Sequence, residues 1–175
     1  MKTALIGLGM VAGTYGDAIS NAADLSLARV YARSPDARDA FLADWPDLGA
    51  AAAGSIQSIA DDPGIDFVIL ATPPNARAEI IASMAAAGKP VLMEKPVERT
   101  LAAATALVET CEAANVPLGI MLQHRARPAA AELKRQVAGL GDLLAVEINV
   151  PWWRPQSYYD APGRGSYDRD GGGVL

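Results

Sequence analysis

The sequence predicts an α/β protein: a doubly wound parallel sheet with helices on both faces. Three observations predict it. Strand-like and helix-like patterns alternate through the first two-thirds of the chain, the order that builds a parallel sheet. The first strand pattern runs into a glycine turn, Gly7-Leu8-Gly9-Met10-Val11-Ala12, and then into a helix. Phe67-Val68-Ile69-Leu70-Ala71 is an unbroken apolar run, which a strand covered on both faces requires.

The 175 residues leave room for one domain, or for one and part of a second. At 51% hydrophobic, the chain has enough apolar area to offset chain entropy. A net charge of −5 with a pI near 4.8 argues against a nucleic-acid surface, which carries a basic excess. No apolar run approaches the ~20 residues of a membrane-spanning helix. The N-terminus enters a patterned strand at once, without the regions of a secretory signal. One cysteine forms no internal disulfide and fits a reducing cytoplasm. One Cys and one His are a poor basis for a structural zinc site.

Taken in order, Lys2 to Ile6 reads as the first strand and Val11 to Asn21 as the first helix. Leu25 to Tyr31 is the second strand. Ser34-Pro35 starts a helix, with Ser as N-cap and Pro in the first helical position, and Asp36 to Ala43 completes it. Ala50 to Ala53 falls where a strand belongs, although alanine is a poor strand former. Ser55 caps a small helix to Ala60. Asp62-Pro63-Gly64 turns the chain into the apolar run of the fourth strand, which Thr72-Pro73-Pro74-Asn75 breaks. Ala76 to Ala87 is helical and Gly88 stops it. Pro90 to Met93 is a fifth strand. Thr100 caps a helix to Ala114, with Leu101, Val108 and Cys111 on one side. Pro117 to Met121 is a sixth strand. Beyond residue 122 the pattern changes. Pro128 to Ala138 is an amphipathic helix, and Leu143 to Val150 reads as a long strand with Leu144, Val146, Ile148 and Val150 on one face. Pro151 to Gly173 has no clear period and reads as a surface loop. Gly171 to Leu175 reads as the approach to a further element.

The glycine turn carries chemistry. In G-x-G-x-x-A the first Gly allows a tight turn, the second lets a diphosphate approach the backbone, and the small third position lets helix and strand pack closely. The helix start then offers N–H groups and partial positive charge to phosphates. The alternative is a glycine-rich turn in some other α/β protein; the strand before and the helix after favour a dinucleotide. An NAD site usually has a carboxylate at the end of the second strand for the ribose 2′-hydroxyl. Here Tyr31-Ala32-Arg33-Ser34 stands there. Arg33 and Ser34 suit a 2′-phosphate, which points to NADP. The alternative is NAD, with Arg33 stacked on adenine or solvated.

Thr72-Pro73-Pro74-Asn75 and Glu94-Lys95-Pro96 fall at the ends of the fourth and fifth strands, where open parallel sheets bind ligands. A lysine beside a cationic ring exchanges protons near neutral pH; taken alone, Lys95 also reads as a surface residue paired with Glu94. His124 is open to three roles: general base, cleft contact, or structural hydrogen-bonding group. Cys111 reads as a buried, inert thiol. Trp45 before Pro46 reads as packing near a turn, and Tyr15 and Tyr31 as packing or adenine-pocket neighbours. Trp152 and Trp153 are either interface core or site residues. Arg154, Arg164 and Arg169 either meet an anionic substrate group or are solvated.

With these pieces in this order, the chain resembles the Gfo/Idh/MocA family of NAD(P)-dependent oxidoreductases. The most specific element is Glu94-Lys95-Pro96 at this distance after the glycine turn, with Ala71-Thr72-Pro73-Pro74-Asn75 between them. The resemblance implies a Rossmann dinucleotide-binding domain over residues 1–122. It also implies that 123–175 begin an α/β substrate and oligomerisation domain with a mostly antiparallel sheet. It implies a cofactor site of Gly7, Gly9, Thr72, Pro73, Asn75, Glu94, Lys95 and Arg125; the glycine turn itself adds Met10, Val11 and Ala12, and the second-strand end adds Arg33 and Ser34, where the chain departs from the acidic residue of an NAD site. Lys95 matches the family's active-site lysine. His124, Trp152, Trp153, Arg154 and Tyr159 match its substrate side, in a subgroup near nucleotide-sugar 3-dehydrogenases. The implied reaction is hydride transfer between NADP or NAD and a sugar, nucleotide sugar or polyol, in a cytoplasmic homo-oligomer without metal. The family's catalytic His follows a Gly-Gly-Gly stretch, so it is expected after Leu175, with most of the substrate domain. Two competing readings are a non-catalytic nucleotide-binding or regulatory protein, and a lyase or hydrolase with tightly held NAD.

Overall fold

The structure, a computed structural model, describes residues 1–160 and 164–170. Six strands form one sheet: β1 (Lys2–Ile6), β2 (Ser26–Tyr31), β3 (Ala51–Ala52), β4 (Phe67–Leu70), β5 (Val91–Glu94) and β6 (Leu118–Met121). Their order is β3-β2-β1-β4-β5-β6, and every pair is parallel. The order reverses between β1 and β4. In such sheets ligands sit at this switch point, outside the carboxyl ends of the strands.

Eight α-helices are described: α1 (Ala12–Ser20), α2 (Pro35–Asp44), α3 (Ile56–Ala60), α4 (Ala78–Ala86), α5 (Leu101–Ala113), α6 (Pro128–Val137), α7 (Gln156–Asp160) and α8 (Tyr167–Asp170). Strand alternation sends side chains to two cores. Ala4, Ile6, Val68, Leu70, Val91 and Met93 pack with Ile59, Ile81, Met84, Leu107 and Cys111 from α3, α4 and α5. Leu5, Leu27, Val30 and Ile69 pack with Tyr15, Ile19 and Phe41 from α1 and α2. The run 67–70 therefore serves both faces, as its composition predicts. Trp45 packs on α1 at Gly16, where a Cβ would stand 2.5 Å from its ring. The predicted caps form: Ser34 Oγ accepts from the N–H of Ala37, Ser55 Oγ from Ser58, and Thr100 Oγ1 from Ala103.

Three expectations are corrected. On α5 the buried residues are Leu107 and Cys111, whereas Leu101 is 83% exposed and Val108 is exposed as well. The helix meets the sheet along a different stripe, because Leu107 and Cys111 lie one turn apart while Leu101 sits at the free N-terminal end. Leu143 to Val150 forms no strand. A strand needs a neighbour for its N–H and C=O groups, and no described segment pairs with it; Leu144 is 96% exposed. Among the described residues there is thus no second sheet. Pro151 to Gly173 is not loop throughout, since α7 and α8 lie within it. The reading of Gly171 to Leu175 falls outside the described residues. No helix among the described residues is long and apolar enough to cross a membrane.

Candidate cofactor and active site

The site is built from the loops that leave β1, β4 and β5. At the end of β1, Gly7 has φ +99°. A Cβ there would stand 2.7 Å from the Ala71 carbonyl carbon and 2.8 Å from the Thr72 nitrogen. Only glycine lets the two loops approach this closely. Gly9 differs: a Cβ there would meet nothing within 4 Å, so the turn is open on its outer side. Val11 precedes α1 and gives it no side-chain cap, which leaves N–H groups of the first turn available to a ligand. Met10 is exposed and Ala12 is buried against the sheet.

At the end of β2, Arg33 and Ser34 are exposed. Ser34 Oγ is engaged as an acceptor in the α2 cap, and its O–H stays free to donate. At the end of β4, Thr72 Oγ1 is buried and has no hydrogen-bond partner among the described residues. Pro73 is half-buried, Pro74 is buried and Asn75 is exposed.

Beyond this loop lies Arg77, which the sequence reading passed over. It is 1% exposed. Its Nε and Nη2 donate to the Thr72 carbonyl at 3.1 and 2.8 Å, and its Nη1 donates to the carbonyls of Pro96 and of Val97 (3.3 Å to the latter). Burial brings its guanidinium down to about 10, against the opposing pull of Glu94, Glu98 and Tyr15. An arginine three residues after a Pro-Pro pair carries no signal of burial; only the fold reveals it.

At the end of β5, Glu94 is held on two sides. Its Oε1 accepts from the Tyr15 hydroxyl at 2.8 Å, and its Oε2 accepts from the Lys95 backbone N–H at 3.1 Å. Burial first, and the bond to Glu94 second, push the Tyr15 phenol above its ordinary value. Lys95 is exposed, and its ammonium pairs with no group among the described residues. The alternative of a Lys95–Glu94 side-chain pair is therefore not what the structure has. Glu98, below the Lys95–Pro96 cis peptide, pairs with Arg99 at 2.9 Å.

Gln123, His124 and Arg125 lie on an exposed turn after β6, next to the end of β5 because Glu94 pairs with Met121. Neither the His124 nor the Arg125 side chain bonds to the cleft loops.

Residues 152–160 and 164–170 lie against the cleft loops. Arg154 stacks on the rings of Trp152 and Tyr158, with its guanidinium carbon 3.8 and 4.8 Å from their centroids, and Arg164 stacks on Tyr158 at 3.8 Å. Tyr159 meets Tyr158 edge-on, and Trp153 is exposed. Arg164 also reaches Met10 in the glycine turn. The Tyr167 hydroxyl donates to the Arg99 carbonyl at 3.2 Å, and Arg99 donates to the Asp168 carbonyl. The structure thus brings this segment against the β1 and β5 loops.

Comparison with known proteins agrees with this geometry. Residues 1–122 match the family model of the Gfo/Idh/MocA oxidoreductases, described as having an NAD-binding Rossmann fold. Levoglucosan dehydrogenase from Pseudarthrobacter phenanthrenivorans is 36% identical over 81 residues, covering 46% of this chain and 21% of its own. The NAD-dependent scyllo-inositol 2-dehydrogenase of Bacillus subtilis is 33% identical over 79 residues, covering 45% of this chain and 23% of its own. The WlbA dehydrogenase of Bordetella pertussis, solved with NADH and UDP-GlcNAcA, superposes with a TM-score of 0.87 at 28% identity, over 97% of this chain and 51% of that one. The chain therefore spans about half the length of that solved structure and a smaller share of the curated relatives it matches. With 122 of its 175 residues matched, on this strand order and these cleft loops, the chain belongs to the Gfo/Idh/MocA oxidoreductase family.

Proposed function

We propose that this chain is the cofactor-binding part of a dehydrogenase that moves a hydride between a nicotinamide cofactor and a hydroxyl or keto carbon of a sugar, nucleotide sugar or polyol. The observation that carries the reading is the Thr72 hydroxyl, which is buried and unpaired among the described residues, at the switch point between an open glycine turn and the exposed Lys95. An unpaired buried hydroxyl is costly, and a polar ligand atom in the cleft would pair it. The open face at Gly9 and the uncapped start of α1 suit a diphosphate. These residues fit a dinucleotide.

When bound, the nicotinamide ring supplies or takes the hydride. Gly9, Met10 and Val11 offer backbone N–H groups to the diphosphate, while Gly7 and Ala12, whose own N–H groups donate to the carbonyls of Tyr31 and Gly9, shape the turn around it. Thr72, Pro73 and Asn75 form the wall beside the ring. Glu94 keeps lone pairs free on both held oxygens, so it can accept from a ribose hydroxyl. Lys95, with a free ammonium, passes the proton to or from the reacting hydroxyl. Arg125, on the turn beside the β5 end, serves the nicotinamide end of the cofactor. His124, Trp152, Trp153, Arg154 and Tyr159 serve the substrate side. Arg154 and Arg164 share the Tyr158 ring, and neither has a carboxylate partner among the described residues. Two such cations favour an anionic group on the substrate.

The cofactor reading favours NADP over NAD. Arg33 is exposed at the β2 end and the Ser34 O–H is free to donate, as a 2′-phosphate requires. The reading extends to a cytoplasmic homo-oligomer, since Cys111 is a buried thiol and residues 143–150 expose an apolar stretch.

The test is a fluorescence titration with NADPH and NADH in parallel. Tight NADPH binding with weak NADH binding is the expected result. The reverse preference keeps the nicotinamide site and overturns the role of Arg33 and Ser34. Binding of neither by a folded chain overturns the reading.

A further inference from the structure

Arg77 has no role in the chemistry described so far. It is an arginine with almost no exposure, and burying a guanidinium is costly unless it is paired and hydrogen-bonded. Its partners are informative. Among the described residues, its side-chain hydrogen bonds all go to main-chain carbonyls: Thr72 twice, Pro96 and Val97. Thr72 belongs to the loop after β4, and Pro96 and Val97 to the loop after β5. A planar fork with five donors can satisfy carbonyls from two directions at once, which a lysine cannot do.

The carbonyls concerned adjoin the residues that face the cleft. One belongs to Thr72 itself, whose hydroxyl is unpaired. Another belongs to Pro96, the residue after Lys95. The charge is balanced from the same region by Glu94 and Glu98. Arg77 also sits at the start of α4, where its own carbonyl accepts from Ile81 at 2.9 Å. Its backbone is thereby tied to the helix while its side chain ties the two loops.

We infer that Arg77 is a positioning residue for the nicotinamide end of the cleft: by clamping the Thr72 loop to the Lys95–Val97 loop, it sets how Thr72, Glu94 and Lys95 face a bound cofactor. The inference rests on the nicotinamide-cofactor reading above. It separates the two halves of the ligand. The adenine and diphosphate half belongs to the glycine turn and the β2 end, which Arg77 does not bond. The nicotinamide half belongs to the loops it clamps.

The test uses this difference. The parent chain and the Arg77→Lys variant are each titrated with ADP and with NADH, and far-UV circular dichroism checks the fold. ADP affinity is expected to stay within about twofold and NADH affinity to fall about tenfold or more, the size of a lost set of charged hydrogen bonds. Bound NADH should also show an altered emission maximum in the variant. An Arg77→Ala variant gives a second reading: guanidinium ion, far below denaturing concentration, is expected to fill the vacated space and restore NADH affinity. Equal losses for ADP and NADH would overturn the inference, because they indicate general loosening. So would unchanged NADH binding in a folded variant, or loss of fold in both variants. A parent chain that binds ADP but not NADH would instead overturn the nicotinamide reading on which the inference stands.

Discussion

The Tyr15 hydroxyl donates to Glu94 Oε1 at 2.8 Å across 79 positions of sequence. This bond joins the helix that follows the glycine turn to the strand end that carries Lys95. The two halves of the cleft are thereby held in register from beneath. Tyr15→Phe removes the bond and leaves the ring packed. It is expected to cost about 0.5–1.5 kcal/mol of stability and to weaken NADH binding several-fold, read by chemical denaturation and by fluorescence titration.

The same contact predicts a pH effect. Burial first, and the bond to Glu94 second, hold the folded Tyr15 phenol above the ordinary tyrosine value of about 10. The stabilisation it contributes is fully present below pH 10 and is lost as pH rises through the higher folded value. Denaturation midpoints should therefore fall above pH 10 in the parent chain, and fall less in Tyr15→Phe. An equal fall in both proteins would contradict the assignment.

Gly7 and Gly9 should respond differently to alanine. At Gly7 the new Cβ meets the Ala71–Thr72 backbone at 2.7 Å, with φ at +99°. A loss of about 2 kcal/mol or more is expected, with loss of cofactor binding. At Gly9 the Cβ meets nothing. Stability should move by less than about 0.5 kcal/mol, while NADH binding falls because the methyl occupies the diphosphate's approach. Thermal melts beside titrations separate the two effects.

Lys95 is exposed and its ammonium is unpaired among the described residues, so Lys95→Met should change stability by less than about 0.5 kcal/mol. In a preparation with dehydrogenase turnover, the same change should lower kcat by about 10²–10⁴, the range for a lost general acid–base group. NADH binding should persist. A variant with unaltered kcat would remove Lys95 from the chemistry.

The exposed apolar run is the fifth test. Leu144 and Ile148 are 96% and 81% exposed, and contiguous apolar surface of this kind drives association. Light scattering on the parent chain should show concentration-dependent oligomers, and the double change Leu144→Lys with Ile148→Lys should reduce them. A monomer at all concentrations would contradict the homo-oligomer reading.

Much of this protein was decided locally and was legible in the residues themselves. The glycine turn, the caps at Ser34, Ser55 and Thr100, and the apolar run at 67–70 depend on neighbours within a few positions. They could be read because turn geometry, capping and strand burial each leave a short pattern. The place of Thr72 and Lys95 at strand ends followed from strand order alone. What lay beyond reach was set by contacts between distant segments. Arg77 looks like any surface arginine until two loops from different strands present it with three carbonyls. Tyr15 and Glu94 meet only because α1 packs across the sheet. Leu101 looks like a core residue in α5, yet the helix lands on Leu107 and Cys111. Leu143 to Val150 has a strand's alternation but no ladder partner among the described residues. Short-range sterics and hydrogen bonds determined the elements; the docking of those elements, which no local pattern encodes, decided which side chains are buried, paired and aimed into the cleft.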